Sequence, residues 1–181
     1  TIYFDARTNG GVEMWAHNTS NSLTWLVATF GGTAELGLDM AILVGDTIYF
    51  SAENYFLAGQ IFMSLGQELW AHDTSNSSTW QVADINNGYF DSYPGRYMEI
   101  LIGDTLYFSA YDGSGHELWA HDTSNSSTWL VADIWSGTDG SNPGQFMTAI
   151  LLGDTLYFSA DDGSSGTELW AMMIEHSITY D

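Results

Sequence analysis

Apolar and polar positions alternate in short segments along the whole chain, and turn residues punctuate them at close intervals. The run Ala149-Ile-Leu-Leu152 is unbroken and ends at Gly153, which predicts a strand buried on both faces. The pair Gly153-Asp154 predicts a two-residue hairpin turn, as do Gly45-Asp46 and Gly103-Asp104. Thr155-Leu-Tyr-Phe-Ser-Ala160 then alternates and is rich in aromatics, the pattern of a second strand. A Gly-rich turn such as Asp112-Gly-Ser-Gly115 leads to a third strand, Glu117-Leu-Trp-Ala-His121. A Ser/Thr/Asn turn over residues 123–127 leads to a fourth, Thr128-Trp-Leu-Val-Ala132. One long connection follows over residues 134–146, with Gly137, Gly140, Pro143 and Gly144. No helix is predicted, although the apolar insertion at 54–65 has room for a helical turn or an extended loop.

The same succession recurs. Gly45-Asp-Thr-Ile-Tyr-Phe-Ser-Ala52 returns from Gly103 and from Gly153, and Thr1-Ile-Tyr-Phe4 is a fragment of it. Glu-Leu-Trp-Ala occurs at Glu68, Glu117 and Glu168, with a Met variant at Glu13. A second Trp follows ten residues after the first in three copies, at Trp25, Trp80 and Trp129. The intervals between Trp15, Trp70, Trp119 and Trp170 are 55, 49 and 51 residues. The expectation is a single repeat domain over 1–181, with repeats of about 1–39, 40–97, 98–146 and 147–181. Three tight hairpins and one long return per repeat fit the blade of an all-β propeller of four four-stranded repeats. A β-sandwich does not need four such similar units, and the coils of a linear β-solenoid are usually shorter.

Glu-Leu-Trp-x-x-Asp at Glu68 to Asp73 and at Glu117 to Asp122, with Leu-Tyr-Phe-Ser-Ala upstream and Val-Ala-Asp-Ile downstream, resembles the ELWxxDGT repeat family. The resemblance covers almost the whole chain. It implies a propeller-like fold and a place in tandem arrays of large surface or secreted proteins, mostly microbial, without implying an activity. The chain departs from the family after the Asp, where Thr74-Ser75 and Thr123-Ser124 replace Gly-Thr; Asn18 and Met173 replace the Asp itself in the first and fourth copies.

Composition narrows the function classes. Of 181 residues 45% are apolar, enough for a folded core, and 23 Asp and Glu stand against Arg7, Arg96 and no Lys. A net charge of -21 argues against nucleic acid and anionic membranes as partners. No apolar run approaches the length of a membrane span, so no membrane insertion is expected. The absence of Cys removes disulfides, thiolate chemistry and Cys-type zinc sites. A Lys-free acidic exterior suits an extracellular or cell-surface setting where cations screen the carboxylates, although drift within a duplicated repeat gives the same composition. With no initiator Met, the chain is expected to be a mature or excised segment.

The recurrent chemistry reads mostly as structure. His17, His72 and His121 sit on third strands of different units, too far apart to meet on one zinc ion. The four repeated Glu are expected to hydrogen-bond a neighbouring strand or blade, since a glycosidase pair at about 5 Å is not supplied by the repeat. With no nucleophile elbow and no Schiff-base Lys, the chain reads as a non-enzyme. Asp112, Asp139, Asp161 and Asp162 lie on Gly turns, a setting that Ca²⁺ prefers, and are the candidate metal ligands. Asn18, Asn76 and Asn125 head glycosylation sequons. Trp135, Tyr89, Tyr93 and Tyr97, with Phe90, fall in return loops outside the repeat pattern and are candidate sugar-stacking residues, whereas the period-fixed Trp are expected in the core.

The expected function is therefore a secreted or cell-surface structural or adhesive module. A carbohydrate-binding propeller is the alternative, and a glycan-processing hydrolase or lyase stands third. Thr1 aligns with Thr47, so the first copy lacks an inner strand and the count is 15 strands where closed blades need 16. Self-association, or pairing with further repeats of the same protein, follows as an expectation.

Overall fold

The computed structural model describes residues 1–8, 11–30, 36–58 and 61–174. These contain fourteen strands in four antiparallel sheets and no helix. The chain divides into two compact units, Thr1–Gly95 with Tyr111–Gly113, and Arg96–Ala110 with Ser114–Asp181.

In the first unit, β1 (Ile2–Thr8), β2 (Gly11–Asn18) and β3 (Leu23–Thr29) form a three-stranded sheet. β4 (Leu36–Val44), β5 (Thr47–Ala58), β6 (Ile61–Asp73) and β7 (Ser78–Ala83) form a four-stranded one. In the second unit, β8 (Glu99–Ile102), β9 (Thr105–Tyr111), β10 (His116–Asp122) and β11 (Ser127–Ala132) make up the third sheet. β12 (Ile150–Leu152), β13 (Thr155–Asp161) and β14 (Thr167–Met173) make up the fourth. Every sheet is ordered as its strands follow in the chain. The fourth strand expected for the last copy lies outside the described residues.

Local sequence explains the connections. Gly45, Gly103 and Gly153 have φ of 59°, 60° and 60°, while the Asp that follows each does not enter positive φ. That is the II′ hairpin turn, which calls for Gly first. The next hairpin closes with Asp73 opposite Ser78 and Asp122 opposite Ser127, and the last loop residue takes the left-handed conformation (Ser77 and Ser126, both 61°). The described residues of the insertion, 54–58 and 61–65, form neither a helical turn nor a loop. β5 and β6 run on through it, pairing Tyr55 with Ser64 and Ala58 with Ile61. A self-paired hairpin satisfies its own backbone groups, so the added length stays in the sheet.

Alternation decides which face packs. In the first unit Val12 and Met14 of the first sheet meet Ile48, Phe50 and Ala52 of the second, with Phe30 edge-on to Phe50 at 5.8 Å and to Trp70 at 5.3 Å. In the second unit Ile102 and Leu118 of the third sheet meet Leu156, Phe158 and Ala160 of the fourth. The sheets of each pair thus stack through the same faces: Ile100, Ile102 and Leu118 on one side, and the Leu156, Phe158, Trp170 row on the other.

Candidate functional site

Two buried carboxylates organise the long returns. On β6, Glu68 Oε2 accepts the Ile85 N–H at 2.7 Å and the Ser92 hydroxyl at 2.7 Å, while Oε1 takes the Asn86 N–H at a weaker 3.4 Å. On β10, Glu117 repeats the arrangement: Ile134 N–H and Ser141 hydroxyl to Oε2 at 2.8 and 2.6 Å, and Ser141 N–H to Oε1 at 2.8 Å. Burial pushes the Glu68 carboxyl up to about 7. The bonds from Ser92, Ile85 and Asn86 pull it down without prevailing, and Asp84 adds to the rise. Glu13 is half-buried and Glu168 exposed. The partner expected for these Glu is a neighbouring strand or blade; Glu68 and Glu117 take their donors from the return loops instead.

Close approaches fix the loops further. A Cβ on Gly66 would lie 2.1 Å from the Phe90 carbonyl oxygen, and one on Gly144 2.4 Å from Met98 Cβ. Only glycine admits these contacts, and both positions have positive φ.

The recurrent His are structural. His72 and His121 are buried, and their Nδ1 atoms hydrogen-bond Thr79 and Thr128 Oγ1 on the facing strand at 2.8 and 2.9 Å. Burial lowers both pKa values. His17 pairs with Thr24 in the same way at 2.8 Å. The first Trp of each copy is half-buried, and among the described residues the indole N–H groups of Trp15, Trp70 and Trp119 are buried without a hydrogen-bond partner. Trp170 differs, donating to the Ala160 carbonyl at 3.1 Å. Trp25, Trp80 and Trp129, expected in the core, are exposed. They lie opposite Ala16, Ala71 and Ala120 on the last strand of their sheets, where one edge is open.

The sequons fall on one type of hairpin but at two positions. Asn76 and Asn125 are exposed at turn tips and donate Nδ2–H to Asp73 and Asp122 at 2.7 Å. Asn18 is half-buried and occupies the place of that Asp, its Oδ1 accepting from Ser20. Asp73 and Asp122 titrate below the usual carboxylate range, chiefly through the hydroxyls of Ser75 and Ser124.

Among the candidate metal ligands, Asp161 accepts the Gly163 N–H at 2.8 Å, and Asp162 accepts from Ser164 and Ser165, which lowers its pKa. Asp139 is exposed and Asp112 half-buried. Among the described residues no three His, Asp or Glu side chains are grouped to hold a metal ion. The loop aromatics do not form one group. Tyr89 and Phe90 are exposed. Tyr93, at φ 46°, folds back to donate its hydroxyl to Asp91 at 2.7 Å. Tyr97 meets the His116 ring edge-on at 4.9 Å, with the Arg96 guanidinium 5.7 Å from its centroid. Burial and Arg96 push His116 down to about 4. Trp135 alone joins another candidate: a Cβ on Gly163 would touch its indole at 2.4 Å, so the ring lies on the Asp161-Asp162 turn.

No known family's sequence pattern matches the chain, and no curated protein resembles it in sequence. Solved structures resemble it in fold. TolB from Acinetobacter baumannii superposes over 97% of this chain with a TM-score of 0.52 at 16% identity. A puromycin hydrolase mutant complexed with PGG does so over 94%, with a TM-score of 0.54 at 12% identity. The chain spans 39% of that TolB and 25% of the hydrolase. Both are of β-propeller type, and the all-β fold described here is of that kind. No helix among the described residues is long and apolar enough to cross a membrane.

Proposed function

We propose that the chain is a non-enzymatic β-propeller module of four repeats, serving a structural or adhesive role at the cell surface or in secreted material. One observation carries this reading: in the two middle copies the recurrent Glu and His are committed to the fold. Both oxygens of Glu68 and Glu117 take donors from their own return loops, and His72 and His121 are held by Thr. The exposed hairpin turns carry Asp, Ser and Asn, and the net charge is -21. The resemblance to ELWxxDGT repeats agrees with such a setting. Glycans at Asn18, Asn76 and Asn125, and Ca²⁺ as counter-ion at turn carboxylates such as Asp112, Asp139, Asp161 and Asp162, belong to the same reading. The test pairs a glycan array with light scattering. A silent array together with self-association supports it, and a monomer that binds a defined sugar overturns it.

The second reading, a carbohydrate-binding module, rests on Trp135. Its indole lies against Gly163, the residue that follows Asp161 and Asp162, so an aromatic platform adjoins an acidic turn. Sugar-dependent quenching of fluorescence that disappears in Trp135→Ala would favour it.

A further inference from the structure

One asparagine of the first return loop is placed for attack by its own main chain. The amide carbon of an Asn side chain can be reached by the main-chain nitrogen of the next residue, most readily when that residue is Gly, which has no Cβ in the way and lets the backbone turn. Asn87 precedes Gly88 in a turn of the connection from β7 to β8, and Asn87 is exposed. Gly88 has a φ of 96°, and a Cβ built on it would meet nothing within 4 Å, so the space around the attacking nitrogen is open. The Gly88 N–H is held by a long bond to Asp84 Oδ2, 3.5 Å, which restrains it weakly.

Other asparagines lack this combination. Asn86 is buried, donates Nδ2–H to the Asp91 carbonyl at 2.9 Å and is followed by Asn87. Asn76 and Asn125 are followed by Ser, and each amide is bonded at both ends, Nδ2–H to Asp73 or Asp122 and Oδ1 from Ser78 or Ser127. Asn142 is followed by Pro143, whose nitrogen has no proton to lose. A further Asn-Gly pair, Asn9-Gly10, lies outside the described residues.

We propose that Asn87 is a site of spontaneous modification, converting to isoaspartate and aspartate with water as co-reactant, and that the isoaspartyl form loosens the grip of Glu68 on this loop. The Gly88 nitrogen gives up its proton and bonds to Asn87 Cγ. The Cγ–Nδ2 bond breaks, and Nδ2 leaves as ammonia with that proton. The succinimide ring then adds one water. Opening at Cγ gives aspartate, and opening at the main-chain carbonyl carbon gives isoaspartate; no oxidation or reduction is involved. In isoaspartate the main chain runs through the former side chain and is one carbon longer. That carbon enters between the Ile85 and Asn86 N–H groups and the Ser92 hydroxyl, all of which Glu68 holds. Either product adds a negative charge to a chain already at -21.

The test incubates the folded 181-residue chain at mildly alkaline pH and maps its peptides by mass spectrometry, with fragmentation that separates isoaspartate from aspartate. Conversion at residue 87 should run several-fold faster than at Asn76, Asn86 or Asn125, with isoaspartate in excess. Conversion no faster than at Asn76 overturns the proposal. So does an Asn87 that stays intact in the folded chain and converts in urea, because the fold then withholds the Gly88 nitrogen. The fraction mapped as isoaspartate at residue 87 should unfold at lower urea than Asn87→Asp, which carries the same charge on a backbone of ordinary length. Equal midpoints would show that the loop absorbs the extra carbon and would overturn the loosening.

Discussion

The hydroxyl of Ser92 donates to the carboxylate of Glu68 at 2.7 Å, and Ser141 repeats the bond to Glu117 at 2.6 Å, each across 24 residues of chain. In both copies one carboxylate on a third strand holds the start and the middle of the return loop together. A hydrogen bond to a charged group contributes about 1.5–3 kcal/mol. Ser141→Ala is expected to lower unfolding free energy within that range. Urea titration would show it, and a loss below about 0.5 kcal/mol would contradict the clamp.

Glu117→Gln tests the same point differently. Both Glu117 oxygens face N–H or O–H donors, so the amide NH₂ of Gln must confront one of them. A buried donor without an acceptor costs about 1–3 kcal/mol. At Glu68 the donor on Oε1 is at 3.4 Å, leaving room for the NH₂, and Glu68→Gln should be the milder change near neutral pH. Equal losses in the two variants would refute the distinction.

Stability should also depend on pH through Glu68. Its folded pKa of about 7 lies above the unfolded value of 4.5, so the group binds its proton more tightly when folded. Its contribution is complete below pH 4.5 and is lost as pH rises through 7, a difference on the order of 3 kcal/mol. Asp73 and Asp122 shift the other way, and their contribution is lost as pH falls. The comparison is therefore between the parent chain and Glu68→Gln across this range. The parent's advantage should shrink from pH 4.5 to 8 and then level off; parallel curves would contradict the assignment.

The left-handed serines offer a stabilising change. Ser126 at φ 61° makes its N–H bond to the Asp122 carbonyl at 2.8 Å, a geometry that costs an L-residue about 1–2 kcal/mol and glycine nothing. After the entropy that glycine loses on folding, Ser126→Gly should gain about 0.5–1 kcal/mol, leaving the Asn125 sequon intact. A thermal melt measures it, with Ser126→Val as the destabilising counterpart.

Expression in a glycosylating host should discriminate among the sequons. Asn76 and Asn125 are exposed, and each uses one Nδ2–H for its Asp, so a glycan can replace the other hydrogen. Half-buried Asn18 at the end of β2 should be modified less. Site-resolved mass spectrometry would show the order, and Asn18 as the most occupied site would contradict it.

Much of the fold was legible because its signals are local. The Gly-Asp turns and the alternation around Tyr-Phe-Ser-Ala mark β5, β9 and β13 without tertiary information, and the fixed spacing of Trp sets the sheets apart. The strand pairing within 54–65 has a local signal too, since β-forming residues stand on both sides of Gly59-Gln60 in the sequence, but the same apolar run fits a helical turn. The partners of Glu68 and Glu117 were not readable from periodicity. Ser92 and Ser141 lie in irregular segments, where the one clue was a shared Ser-x-Pro-Gly, 49 residues apart like Trp70 and Trp119. Exposure of the second Trp escaped because it depends on what stands beside the last strand, a tertiary matter.

The distance along the chain from Glu to Ser is 24 residues in both copies, while the hairpin before it differs in length from copy to copy. The clamp therefore acts as a ruler on one connection and leaves the other free. Added length in β5 and β6 stays on paired strands and leaves the clamp in place, whereas a foreign peptide placed between Ala83 and Ser92 would pull the hydroxyl off its carboxylate. Inserted sequence is thus tolerated between β5 and β6, and a display scaffold made from this chain would be opened there.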